Sequence, residues 1–388
     1  MKKNMHKIIR ITTAPISLNV LLPGQMKYMK EQGFEVVMVS SDGPELKKVI
    51  EKEGCRHHII PMTRRMSPFR DLKCLWLLYQ FIKKEKPSIV HTHTPKAGLL
   101  GMLAAKLAGV NIRIHTVAGL RYVTTKGLSR RIMMMMEKLT SKAASHVWPN
   151  SHSLYQFMID YKLANKKKLA VIGNGSSNGI NLTRYSVEAL DADRLSAIKT
   201  KINYNEKLVY FLSVGRIVND KGMDELVQAF EKLYATNSSV RLILVGAFED
   251  EVDPVSADTK KILSTHPGIQ MVGWSNEVEY YMRLAYALVH PSHREGFPNV
   301  LLQAGAMQCP IICSRIPGNI DIVEHTHTGL LFTVKDVEDL YQMLQYSLQN
   351  PTAINQMACN QLHRIRQYFH QPIVHSFLHQ RYIALLSS

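Results

Sequence analysis

The chain has 388 residues, a formal net charge of +17, 46% apolar residues and 20% charged residues. That balance excludes disordered and collagen-like chains, and the length points to two domains, since one core rarely grows past about 250–300 residues. No run reaches the roughly 18 consecutive apolar residues of a membrane-spanning helix, and Ile8-Ile9-Arg10-Ile11 is too short and too charged for a signal-peptide core. A β-rich run at 6–12 opens the chain. Amphipathic stretches at 25–32, 45–53, 72–84 and 96–108 then alternate with β-rich runs at 34–40, 57–61, 88–92, 112–117, 146–149 and 169–172. Short apolar runs bounded by turn signals fit parallel strands buried on both faces, and their alternation with helices reads as a doubly wound sheet. Residues 183–206 are polar, lack a strand and read as a linker. The alternation restarts with β-rich runs at 208–214, 240–245, 269–272, 287–291, 310–313 and 329–332. Helical stretches at 222–233, 277–284, 298–307 and 337–348 separate them. The expected domains are therefore 1–182 and 207–365, with a C-terminal helix in 366–388 packing back on the first. In such sheets ligands bind beyond the carboxyl ends of the strands, which makes the interdomain cleft the expected active site.

The charge is uneven. Residues 1–175 hold 30 lysines and arginines against 10 carboxylates, whereas 176–388 hold 18 against 21. One half thus carries the whole excess, which suits an anionic partner such as membrane headgroups or a phosphorylated substrate. No RNA- or DNA-binding motif accompanies it, so nucleic acid is not an expected partner. Near 127–147, Arg130, Arg131, Lys138 and Lys142 flank the run Met133–Met136. Two readings stand: a core helix with basic shoulders, or an interfacial contact with lipid.

Two segments carry chemistry. In 290–306 a buried strand runs into a turn holding Glu295 and Gly296, and Pro298 opens a helix. The backbone N–H groups of Asn299, Val300 and Leu301 would face a ligand there, a ready site for phosphate, and Glu295 and Gln303 could address one extended molecule. In 214–222 Arg216 and Lys221 sit on a strand-end loop, where a guanidinium fork and an ammonium can clamp a diphosphate. Other matches fail on spacing. Gly173–Gly179 does not open a helix as a dinucleotide fingerprint must. Asp191-Ala-Asp193 reads as surface, and the histidines show no zinc spacing, so no metal or cofactor is expected. Cys55, Cys74, Cys309, Cys313 and Cys359 form no CxxC pair, which suits reduced thiols in the cytosol.

Five blocks, in order, resemble those of the retaining glycosyltransferases of family 4. They are Val90-His-Thr-His-Thr-Pro-Lys-Ala-Gly98, Gly175-Ser-Ser-Asn-Gly-Ile180, Val214-Gly-Arg-Ile-Val-Asn-Asp-Lys-Gly222, Arg294-Glu-Gly-Phe-Pro-Asn-Val-Leu-Leu302 and Glu324-His-Thr-His-Thr-Gly-Leu-Leu331. The resemblance implies a GT-B fold of two facing Rossmann-like domains, and metal-free transfer of a sugar from a nucleotide sugar with retained configuration. It implies that Arg216 and Lys221 hold the diphosphate and that the backbone of Phe297, Pro298, Asn299, Val300 and Leu301 cradles phosphate and sugar. By the same token Glu295 binds sugar hydroxyls, Gln303 addresses the ribose, and Gly273 and Trp274 border the base. Glu295, Arg216 and Lys221 are the expected catalytic residues. Gly24, His93, Lys96, Arg121, Arg130 and Arg131 are the acceptor-side candidates. The sequence departs from the family at Gln303, where a glutamate is usual, and at Ala118, where many members carry a histidine. The resemblance favours a UDP-sugar donor, a lipid-diphosphate-linked glycan acceptor in capsule or O-antigen assembly, and a peripheral location at the inner face of the cell membrane. A UDP-sugar 2-epimerase of the same fold and a non-catalytic anion- or membrane-binding protein are the alternatives.

Overall fold

The computed structural model describes residues 5–63, 67–119, 127–251 and 253–387. They divide into two compact units, Met1–Gly179 with Pro372–Ser388, and Ile180–Gln371.

The sheet of the first unit holds β1 (Lys7–Ile11), β2 (Glu35–Ser40), β3 (Arg56–Ile59), β4 (Ile89–His93), β5 (Ile112–Val117) and β6 (His146–Pro149). Its strands are all parallel in the order β3-β2-β1-β4-β5-β6. The chain winds outward from β1 to β3, then returns to lay β4 against the other side of β1. Ile8, Ile9, Ile11, Val37, Val39, Ile89 and Val90 are fully buried because helices cover both faces. Each such side chain contributes about 1.5–3 kcal/mol on burial. One face carries the helices Pro68–Glu85, Pro95–Leu107 and Gly127–Ala143; the other carries Pro15–Leu21, Gln25–Glu31, Leu46–Glu53 and Gln371–Leu386.

The second unit repeats the plan with β7 (Val209–Val214), β8 (Val240–Val245), β9 (Ile269–Gly273), β10 (Ala287–His290), β11 (Ile311–Ser314) and β12 (Leu330–Phe332). The parallel order is β12-β11-β10-β7-β8-β9, so strand order reverses between β7 and β10. Both sheets are doubly wound and Rossmann-like, the architecture of the GT-B class.

Three sequence expectations need correction. Residues 183–206 are no linker: they hold a 3-10 turn, Val187–Ala189, and an α-helix, Ala192–Lys201, and Tyr185, Ile198 and Ile202 are buried in the core of the second unit. Asp191 caps the second of these helices by accepting from the Arg194 amide at 2.8 Å. The expected strand at 169–172 shrinks to one bridge, Val147 to Leu169, because Ala170 and Ile172 pack in the cluster that holds Leu378 and Tyr382. The stretch 366–388 is also not one helix. Pro351–Tyr368 ends first, and Gln371–Leu386 follows. That last helix is tied to the first unit at its core, where Arg10 donates to the Tyr382 hydroxyl and His375 bonds Asn178 Oδ1 at 2.8 Å.

Candidate active site

The reversal point between β7 and β10 is where a doubly wound sheet opens a crevice for ligands. Two loops leave the strands there, 215–222 after β7 and 291–298 after β10. They are stitched together. His293 N donates to Asp220 O at 3.0 Å, Arg294 pairs with the Asp220 carboxylate, and Gly222 lies against Pro291. Gly222 has φ +70°, and a Cβ there would stand 2.1 Å from Pro291 O, so no larger residue fits this crossing.

The stitching sets Lys221 Nζ on Glu295 Oε1, and His290 Nε2 donates to the same oxygen at 3.0 Å. The Glu295 side chain is only 14% exposed. Burial raises the pKa of this carboxyl, but Lys221 and the hydrogen bond from His290 outweigh it and hold the group well below the usual carboxylate range. A carboxylate kept ionised in this way accepts hydrogen bonds and does not donate a proton. It therefore suits hydroxyl recognition, and the ammonium beside it keeps donors for a phosphate.

Arg216 stands at the start of the first loop, half-exposed, on Glu249 at 2.6 Å after β8. Gly273 ends β9 and accepts from Gly246 N at 2.9 Å, and Trp274 beyond it is 70% exposed. Pro298 caps the helix Asn299–Ala306 from outside rather than opening it. Within that first turn Leu301 N is already bonded to Pro298 O at 3.1 Å, which leaves the amides of Asn299 and Val300 as the open ones. The side chains of Phe297 and Leu301 are core, Phe297 against Phe369 with ring centroids 5.3 Å apart, so only backbone is available from them. Gln303 Nε2 donates to Tyr185 Oη at 2.8 Å, leaving its carbonyl oxygen as an acceptor. Among the described residues no group of three His, Cys, Asp or Glu side chains gathers to hold a metal ion.

The described acceptor-side candidates each have their own local contacts. Gly24 heads the helix Gln25–Glu31 with φ +78° and donates its amide to Glu53 at 2.6 Å. His93 is buried beside His91, with Nε2 unpaired, in a small pocket shared with Gln25, Trp148 and Asn150. Burial pushes the pKa of His93 well below the usual imidazole range, so the ring is neutral. Lys96 pairs with Asp71 at 2.8 Å. Arg130 lies over the Tyr161 ring and Arg131 is exposed, both on the helix Gly127–Ala143. Arg121 lies outside the described residues.

Sequence reasoning missed His290 as the second donor to Glu295, Tyr185 as the partner of Gln303 and Glu249 as the counter-ion of Arg216. It also missed the reversal point of the first sheet. There Arg10, fully buried, donates to Tyr382 and Gln25 and faces His91 Nδ1 at 3.3 Å. An arginine inside the apolar run Ile8-Ile9-Arg10-Ile11 was the available signal.

Comparison with known proteins identifies the family. Residues 196–368 match the family model of glycosyl transferases group 1, and residues 20–175 match that of the glycosyl transferase 4-like domain. The chain is 32% identical over 382 residues to the capsular polysaccharide biosynthesis glycosyltransferase CapM of Staphylococcus aureus, covering 98% of each chain. It is 26% identical to a UDP-Gal:alpha-D-GlcNAc-diphosphoundecaprenol alpha-1,3-galactosyltransferase of Escherichia coli, covering 88% of each. The crystal structure of Anabaena HepE in complex with UDP shares the fold with a TM-score of 0.80 at 16% identity, covering 98% of this chain and 100% of that one. The epimerase and the non-catalytic readings give way to these matches. With its strand-reversal site and its full-length likeness to CapM, the chain belongs to the group 1 glycosyl transferases and is a glycosyltransferase.

Proposed function

We propose that the chain moves a sugar, with retained anomeric configuration, from a UDP-sugar to a lipid-diphosphate-linked glycan during assembly of a surface polysaccharide. The observation that carries this reading is Lys221 seated on the ionised Glu295 at the strand reversal of the second sheet. Such a pair supplies a fixed cation for a leaving diphosphate and a fixed acceptor for sugar hydroxyls. Arg216 and the amides of Asn299 and Val300 add donors on the same strand ends, and Trp274 borders the base. The bond from the anomeric carbon to the diphosphate breaks, and a bond to the acceptor hydroxyl forms on the same face. The hydroxyl proton passes to the leaving phosphate oxygen, so charge builds where these donors point. Membership of the group 1 family, with relatives named for capsule assembly and for a diphosphoundecaprenol acceptor, supports the acceptor class. No helix among the described residues is long and apolar enough to cross a membrane, and we place the enzyme peripherally at the inner face.

The test is a panel of nucleotide sugars with a polyprenyl-diphosphate-sugar acceptor, read by mass spectrometry. Wild type is expected to add one sugar from a UDP donor. Arg216→Ala and Lys221→Ala are each expected to lower kcat/KM by about 100-fold or more with an unchanged circular-dichroism spectrum. Full activity in both variants removes the diphosphate clamp.

A further inference from the structure

The helix Gly127–Ala143 is apolar on two faces. Its inward face packs Met133 and Met134 against the core and buries Glu137, Thr140, Ser141 and Ala143, while Leu128, Ile132, Met135 and Leu139 are exposed. Their spacing places them on one stripe of the helix, and Arg131, Lys138 and Lys142 line one flank of it. The helix Pro68–Glu85 repeats the pattern. Phe69, Leu72 and Trp76 are exposed at helical spacing, Phe69 by 89%, with Arg70, Lys73, Lys83 and Lys84 around them. Both helices pack against Pro95–Leu107, whose Leu107 is itself 66% exposed, so the three form one layer over a single sheet face. Each carboxylate of that layer is withdrawn from the surface: Asp71 is held by Lys96, Glu85 by Lys7 and Arg56, and Glu137 is buried.

We infer that this three-helix face docks on the surface of an anionic bilayer. An apolar stripe flanked by cations, with no open carboxylate, is what an interfacial helix presents to lipid. The aromatic pair Phe69 and Trp76 suits the headgroup boundary. Cations near such a surface add electrostatic attraction to the apolar area withdrawn from water. The inference rests on the membrane-peripheral reading above and supplies its contact surface.

Co-sedimentation of the full chain with phosphatidylcholine vesicles, with and without phosphatidylglycerol, tests it. Wild type is expected to sediment with the anionic vesicles and to be released by salt. Met135→Glu/Leu139→Glu and Leu72→Glu/Trp76→Glu are each expected to weaken binding by about tenfold or more. Lys138→Gln/Lys142→Gln is expected to remove the preference for phosphatidylglycerol. All three variants are expected to keep the wild-type thermal shift on adding UDP, which shows that they fold. Variants that sediment like wild type overturn the inference. So does a wild-type dimer in light scattering that these substitutions dissociate, since the face would then join two copies. Absence of a UDP response in the wild-type chain counts against the donor reading instead and leaves the vesicle result to stand alone.

Discussion

At the carboxylate of the candidate site, two neighbours decide the protonation state. Glu295 alone, largely buried, would hold its proton more tightly; Lys221 and His290 reverse that and keep it ionised. Arg216 is in a different position. Its partner Glu249 is about as exposed as itself, and surface pairs of this kind are worth only about 0–1 kcal/mol, so the guanidinium can be exchanged to a phosphate at small cost. Gln303 sits where the resemblance leads one to expect a glutamate, and it already spends its NH2 group on Tyr185. Gln303→Glu would accept a hydrogen bond from the Tyr185 hydroxyl instead and present a charged acceptor to the ribose. Its UDP dissociation constant, measured by calorimetry, is expected to fall about three- to tenfold, as charge-assisted hydrogen bonds are stronger than neutral ones. An unchanged or higher constant argues against a ribose role. The residue types of this site were legible in order along the chain: Arg216, Lys221 and Glu295 stand at strand-end loops. Their partners were not legible, because Tyr185 and Glu249 come from segments distant in sequence and His290 meets Glu295 only through the fold of the turn between them.

At the scale of elements, the helix Gly127–Ala143 shows why composition alone misleads. Its methionine run reads as core or as lipid contact, and the structure divides it: Met133 and Met134 pack against the core, while Met135 is exposed. Burial pushes the Glu137 carboxyl up to about 7, with His115 Nε2 at 4.0 Å lowered by burial to about 4 and hence neutral near pH 7. The folded chain thus keeps the Glu137 proton at pH values where the unfolded chain has lost it. This group's contribution to stability therefore falls as pH rises from the ordinary carboxylate range through about 7, and then levels off. Glu137→Gln lacks that loss. Its stability relative to wild type is expected to rise by about 2–3 kcal/mol between about pH 5 and about pH 8, measured by urea denaturation. Parallel pH profiles for the two proteins would show that Glu137 does not hold its proton. The strand pattern was legible nearly throughout, since apolar runs buried on both faces leave little ambiguity. The run 169–172 failed because the helix Gln371–Leu386, some two hundred residues away, offered it a different partner.

Across the whole molecule, the two sheets divide the charge as they divide the chain, with the excess of cations confined to 1–175. The second unit supplies its own cations to the proposed leaving group, so transfer is expected to continue at the wild-type rate in EDTA. A loss of activity restored by a divalent ion would require a metal that the described side chains do not gather to bind. The order of elements, the doubling of the α/β plan and the identity of the residues on strand-end loops follow from the sequence by itself, because periodicity and turn chemistry are local. Tertiary structure alone decided that 183–206 belongs to the second unit's core and that the C-terminal helix closes over Arg10. It also decided that Lys221 rests on Glu295 and that the helix Gly127–Ala143 buries Glu137. Each of these depends on contacts between segments far apart in the chain, and such contacts are set by the packing of whole sheets and helices, which no local pattern encodes.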